Sequence, residues 1–214
     1  MKKLYFMCWK DSRKPAYSIF PCKNLGMPAH EMIPLLENKS DFLTECFFKK
    51  LTVVKNSLIS ENAEKDADVW KDYPPNWFAW PILSEKMKQL IESNLTGQEG
   101  IDFITVKISH YSVSRLYYIL RFNRKIECLD KAKSMYAPST DFLIRPVFRG
   151  DFLDQYHTLG RPEGHDLWKI TSEIYVTEEI RKAIIKAKIQ NVEFSPMKVT
   201  KNGCDLLGMS DFVL

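Results

Sequence analysis

The sequence predicts an α+β fold in which a mixed or antiparallel sheet carries a duplicated strand-helix-strand unit. Three observations lead there: two similar stretches about ninety residues apart, a large apolar share, and β-favouring runs between the two stretches. The first stretch runs Ile82-Leu83-Ser84-Glu85-Lys86-Met87-Lys88-Gln89-Leu90-Ile91 and then Gly100 to Ile108. The second runs Tyr175-Val176-Thr177-Glu178-Glu179-Ile180-Arg181-Lys182-Ala183-Ile184 and then Asn191 to Val199. Ser84 and Thr177 stand where a helix N-cap belongs, each followed by a glutamate that complements the macrodipole. Apolar residues recur at helical spacing after each cap: Met87, Leu90 and Ile91 in one copy, Ile180, Ala183 and Ile184 in the other. The repeated units span residues 76–108 and 166–199 within a single α+β domain covering 1–214, preceded by a strand- and loop-rich part at 1–75.

The remaining elements follow in chain order. Leu4 to Trp9 reads as a first β-strand, because its apolar run of six is too short for a signal peptide core and ends in a lysine-rich stretch. Pro15, Pro21, Gly26, Pro28 and Pro34 then punctuate the chain against long elements. Residues 42–48 suit a buried element of either type, 51–59 a strand or two, and the polar, acidic 60–68 a surface loop or helix. Pro74-Pro75 makes 73–81 an extended connection into the first unit. Between the units, 113–122 is rich in aromatic and β-branched residues and 124–130 alternates, which predicts two neighbouring strands. A further strand is expected over 141–148, a polar loop or short helix over 150–164, and a return to the sheet at 167–170. Trp168 echoes Trp70 upstream of the other copy. The tail at 201–214 is expected to wander or to pack as a last strand.

Composition narrows the function classes. With 214 residues, 45% apolar and 13% aromatic, the chain can fold without staples. Five cysteines without a CxxC pair fit neither a disulfide framework nor a zinc site, so a reducing cytoplasm is the expected compartment. No apolar run reaches the roughly 18 residues of a spanning helix, so no membrane partner is expected. The net charge of +4 comes from 31 basic and 27 acidic residues without a basic stripe, which argues against a nucleic-acid partner. Phosphate-loop, dinucleotide-fingerprint and nucleophile-elbow motifs are lacking, and no catalytic residue, metal site or cofactor is assigned.

One polar constellation remains, in the loop carrying Asp151, Asp154, His157, Arg161, Glu163, His165 and Asp166. Its carboxylates and histidines could bind a divalent metal or exchange protons, but their spacing matches no metal motif, and the primary reading is a solvated surface that meets a partner. A metal-dependent hydrolase using this loop and a nucleic-acid-binding module stand as alternatives, the latter drawing on the aromatic content and a pI near 8.7. The aromatic group Trp70, Tyr73, Trp77, Phe78 and Trp80 reads as core in preference to an interface.

The order of these segments resembles a known family. Ser84-Glu85 to Ile108, the tyrosine-rich Leu116 to Leu120, Cys128-Leu129-Asp130, then Val176-Thr177-Glu178 and Val192-Glu193-Phe194 are similar to the immunity proteins of bacterial polymorphic toxin systems, in particular the immunity protein 11 and 43 groups. The resemblance covers roughly 77–199. It implies a cytoplasmic protein encoded beside a toxin, which binds and blocks the toxin domain without catalysis and without a cofactor. Under that reading Asp151, Asp154, His157, Arg161, Glu163 and His165 are the candidate partner-binding residues. The mild positive charge implies a toxin other than a highly basic nuclease.

Overall fold

Tyr5, Phe6 and Met7 alternate between two apolar layers, and that alternation makes Leu4–Trp9 (β1) the central strand of a sheet buried on both faces. In the computed structural model, residues 2–10, 17–21, 51–55, 69–76, 80–124, 126–160 and 173–200 are described. Their strands continue as Tyr17–Pro21 (β2), Leu51–Lys55 (β3), Ile82–Ser84 (β4), Ile101–His110 (β5), Val113–Phe122 (β6), Met135–Tyr136 (β7), Leu143–Arg145 (β8), Val147–Arg149 (β9), Thr158–Gly160 (β10), Ile174–Thr177 (β11) and Val192–Thr200 (β12). Helices α1 (Glu85–Ser93) and α2 (Glu178–Lys186) and a 3-10 turn at Gly150–Asp154 complete the set.

The fold is α+β. One five-stranded sheet has the order β10-β11-β1-β12-β9 and the other β2-β3-β5-β6-β4, with β7-β8 a small separate ribbon. Both sheets mix parallel and antiparallel pairs, the parallel ones being β12 with β9 and β3 with β5.

The two strand-helix-strand segments are built alike. β4 and β5 both run antiparallel to β6, which lies between them, while β11 and β12 both run antiparallel to the intervening β1. Tyr118 on β6 sits opposite Leu83 and Thr105, and Tyr5 on β1 sits opposite Val176 and Pro196. The return strands start from left-handed residues, Gly100 at φ 65° and Asn191 at φ 63°, the residue types that enter this region at least cost. Each presents its carbonyl to the end of the inserted strand, Gly100 to the N–H of Asn123 at 2.7 Å and Asn191 to that of Lys10 at 3.1 Å.

The apolar faces of α1 and α2 meet one shared core. Met87 and Ile91, Ile180 and Ile184, Leu120 and Phe122 of one sheet, and Met7, Ile174 and Val176 of the other all belong to it. Tyr73 is fully buried in this core, and Trp80 is buried as well. Trp70 is half-buried and stacks on Tyr117 under the Arg115 guanidinium, while Trp77 and Phe78 lie outside the described residues. On the other face of β1 and β11, Leu4 and Tyr175 pack with Cys128, Leu129, Phe148, Leu153 and Tyr156 in a second core.

Several expectations change. Among the described residues of 124–130 the expected strand is reduced to one bridge, Leu129 to Phe148, because Cys128 and Leu129 are spent on the second core and β6 is already flanked by β4 and β5. The run at 141–148 is split at Pro146 into β8 and β9, since proline has no N–H for a ladder. The polar 150–164 stretch contributes a 3-10 turn and then a strand, β10. The readings at 42–48, 60–68, 167–170 and 201–214 lie outside the described residues.

The two caps also differ. Ser84 accepts the Met87 N–H at 3.2 Å and donates to Asp72 Oδ1 at 2.6 Å. Thr177 has the extended backbone of an N-cap but makes no side-chain cap bond, contrary to expectation, and its hydroxyl is buried without a partner. Ser84→Ala is therefore expected to cost about 1–2 kcal/mol in urea denaturation, whereas Thr177→Val should leave stability unchanged or raise it. Equal losses in the two variants would contradict the asymmetry.

Candidate functional site

Two backbone hydrogen bonds place the segments that lead into the helices. Ser84 N–H donates to the Asp72 carbonyl at 2.8 Å, and Thr177 N–H donates to the His157 carbonyl at 3.0 Å. Asp72 and His157 therefore occupy corresponding places, one beside each helix N-terminus. Their side chains reach across to the opposite unit. Asp72 Oδ2 accepts the Gln190 N–H at 2.9 Å from the turn after α2, and Asn191 donates its side-chain amide to the Tyr73 carbonyl at 2.7 Å.

In the reciprocal contact, His157 Nδ1 lies 2.9 Å from the Asn94 carbonyl after α1. A carbonyl only accepts, so Nδ1 carries the proton. Glu99, 1% exposed, ties the same region together. It accepts the His157 N–H at 3.0 Å, the Thr96 N–H at 3.0 Å and the Thr96 hydroxyl at 2.8 Å. Burial pushes the Glu99 carboxyl up, but these hydrogen bonds outweigh it and hold the group below the ordinary glutamate value.

Beside this junction lies a cleft of about 450 Å³ at the N-terminus of α2. Asp154 and His157 line it, so two of the sequence-derived residues come together here. The rest of the wall comes from Lys2 and Lys3 at the start of the chain, Leu153, Thr177, and the α2 residues Glu178, Glu179 and Lys182. Asp154 is ion-paired with Lys2. Asp151 turns instead to Arg149, whose guanidinium makes two hydrogen bonds to it at 3.2 and 2.6 Å and holds its carboxyl below the usual aspartate value. Arg161, Glu163, His165 and Asp166 lie outside the described residues.

Glu178 is engaged by its neighbours. The Tyr5 hydroxyl, helped by Arg181 and Lys182, holds its carboxyl below the ordinary value, and the Arg181 guanidinium stands 4.8 Å from the Tyr5 ring centre. Helix α1 repeats the arrangement, with Tyr118 holding Glu85 down and Lys88 Nζ 5.0 Å from the Tyr118 ring centre. Sequence reasoning missed Lys2, Lys3 and Lys182 as wall residues. Proximity in the fold alone brings them to His157, since β1 is inserted between two strands from the far end of the chain.

Among the described residues, no group of three or more His, Cys, Asp and Glu side chains is placed to hold a metal. Nor is any of their helices long and apolar enough to cross a membrane. The cleft offers ammonium groups, a buried hydroxyl and a helix N-terminus, a set suited to binding charged groups.

Glu99 gives a pH test of the junction. Its lowered folded-state pKa means that the unfolded chain binds the extra proton, so its contribution is complete above the unfolded value near 4.5 and is lost as pH falls through the folded one. Glu99→Gln should cost about 2 kcal/mol at neutral pH and flatten the decline in stability below pH 4.5, as read by denaturation across pH. An unchanged acid profile would contradict this role.

No curated protein matches the chain. The family model of the immunity protein family (Imm11) matches residues 22–199, which includes both strand-helix-strand segments and the His157 junction. By that match the chain belongs to the immunity protein family (Imm11).

Proposed function

We propose that this chain neutralises the cognate toxin domain of a bacterial polymorphic toxin system by binding it, without catalysis and without a cofactor. The single observation that carries the reading is the family match over residues 22–199. The junction described above adds a physical requirement that such an inhibitor meets. Asp154 and His157 stand beside a segment fixed by hydrogen bonds from both directions, so a partner would find it ordered and pay little entropy to use it.

The proposed contact residues are Asp151, Asp154 and His157, with Arg161, Glu163 and His165 further along the same stretch of sequence. Charges at a contact face steer and orient a partner, while aromatic and apolar anchors supply most of the affinity. Tyr111, 87% exposed at the β5–β6 turn, is one side chain of the anchoring type elsewhere on the surface.

Co-production with the toxin domain encoded beside this chain should restore growth, and the purified pair should form a stoichiometric complex burying about 1,200–2,000 Å². Asp154→Lys should weaken that complex at least tenfold with little change in melting temperature, because the Lys2 pair it breaks is exposed. Failure to protect would overturn the neutralising reading. Full protection and unchanged affinity in Asp154→Lys would move the contact off this face.

A further inference from the structure

The two helix N-termini differ in one respect that points to a ligand. At α1 the hydroxyl of the cap residue meets a carboxylate from the chain itself: Ser84 Oγ donates to Asp72 Oδ1 at 2.6 Å. At α2 the corresponding place belongs to His157, whose backbone carbonyl takes the cap N–H as Asp72 does but whose ring turns to Asn94. Among the described residues no carboxylate reaches Thr177. Its side chain is 2% exposed, its hydroxyl has no hydrogen-bond partner, and it lines the cleft. A buried hydroxyl left unpaired costs free energy that an incoming acceptor recovers.

We propose that the cleft at the N-terminus of α2 binds a carboxylate group, which occupies beside Thr177 the place that the Asp72 carboxylate occupies beside Ser84. The Thr177 hydroxyl donates to one oxygen, and the first-turn N–H groups of α2, which have no intrahelical partner, face the negative charge. Lys3 and Lys182, on the same wall, supply the countercharge, Lys182 Nζ also standing 3.9 Å from Glu178 Oε1. The other charged groups of the wall are largely engaged: Asp154 with Lys2, and Glu178 with Tyr5 and Arg181. Glu179 is exposed on the rim, and together with Asp154 and Glu178 it disfavours a dianion, which selects a carboxylate over a phosphate.

The inference concerns the free chain and stands or falls apart from toxin neutralisation. Its test is a titration of the ¹⁵N-labelled full chain with sodium acetate, followed by amide NMR at ionic strength held constant with chloride. Saturable shifts are expected at Thr177 to Ile180, with Thr177→Val weakening binding about tenfold and Thr177→Ser preserving it. The melting temperature of each variant confirms that it is folded. A parallel titration with a blocked Gly-Asp-Gly peptide identifies the source: binding at least as tight as acetate shows a cleft open to an acidic side chain of a protein, and binding of acetate alone shows one shaped for a small organic acid. Shifts no larger than those from chloride, equal binding by Thr177→Val, or tighter binding of inorganic phosphate than of acetate would overturn the proposal.

Discussion

The described structure depends on a reciprocal brace between its two strand-helix-strand segments. Each helix ends in a turn that hydrogen-bonds the segment leading into the other helix: Gln190 and Asn191 hold Asp72 and Tyr73, while Asn94 and Glu99 hold His157. The brace closes over a common core in which Met87 and Ile91 share neighbours with Ile180 and Ile184. Neither helix, at nine residues, is long enough to be stable alone in water. Packing supplies what length does not, and the polar braces fix how the packed halves are registered. Buried Glu99 is the most demanding member, since a carboxylate out of water is tolerated only while its hydrogen bonds persist.

The two segments differ in what stands beside their helix N-termini. Where α1 has Asp72 beside its N-terminus, α2 has His157, whose ring braces the opposite turn, and among the described residues the α2 cap hydroxyl has no acceptor. A charged cleft lies beside this junction, in a chain that belongs to the immunity protein family (Imm11). A binding surface gains from such rigidity, because ordering costs are met when the protein folds and not when it binds.

Much of the backbone plan was legible in the sequence. Helical spacing after Ser84 and Thr177, and the strand-like runs from Gly100 to Ile108 and Asn191 to Val199, marked both segments, because periodicity is a local property of the chain. Asp154 and His157 were marked by their residue types in a polar stretch. What was not legible depends on distance along the chain. Lys2 reaches Asp154 because β1 inserts between β11 and β12, an arrangement that no local pattern encodes. The alternation at 124–130 misled for a related reason: a second core, not a sheet neighbour, claims Cys128 and Leu129. Likewise the empty cap at Thr177 follows from what stands beside it in space, a histidine twenty residues earlier in the chain.

Native-state hydrogen exchange on the free chain tests the brace most directly. If the two segments are one cooperative unit, the amides of His157 and Gln190 that donate across the junction should open with the same free energy as core amides of β1 and β6. Markedly lower protection of either amide, or separate opening of one helix and its strands, would show that the segments are stable independently and would contradict the account.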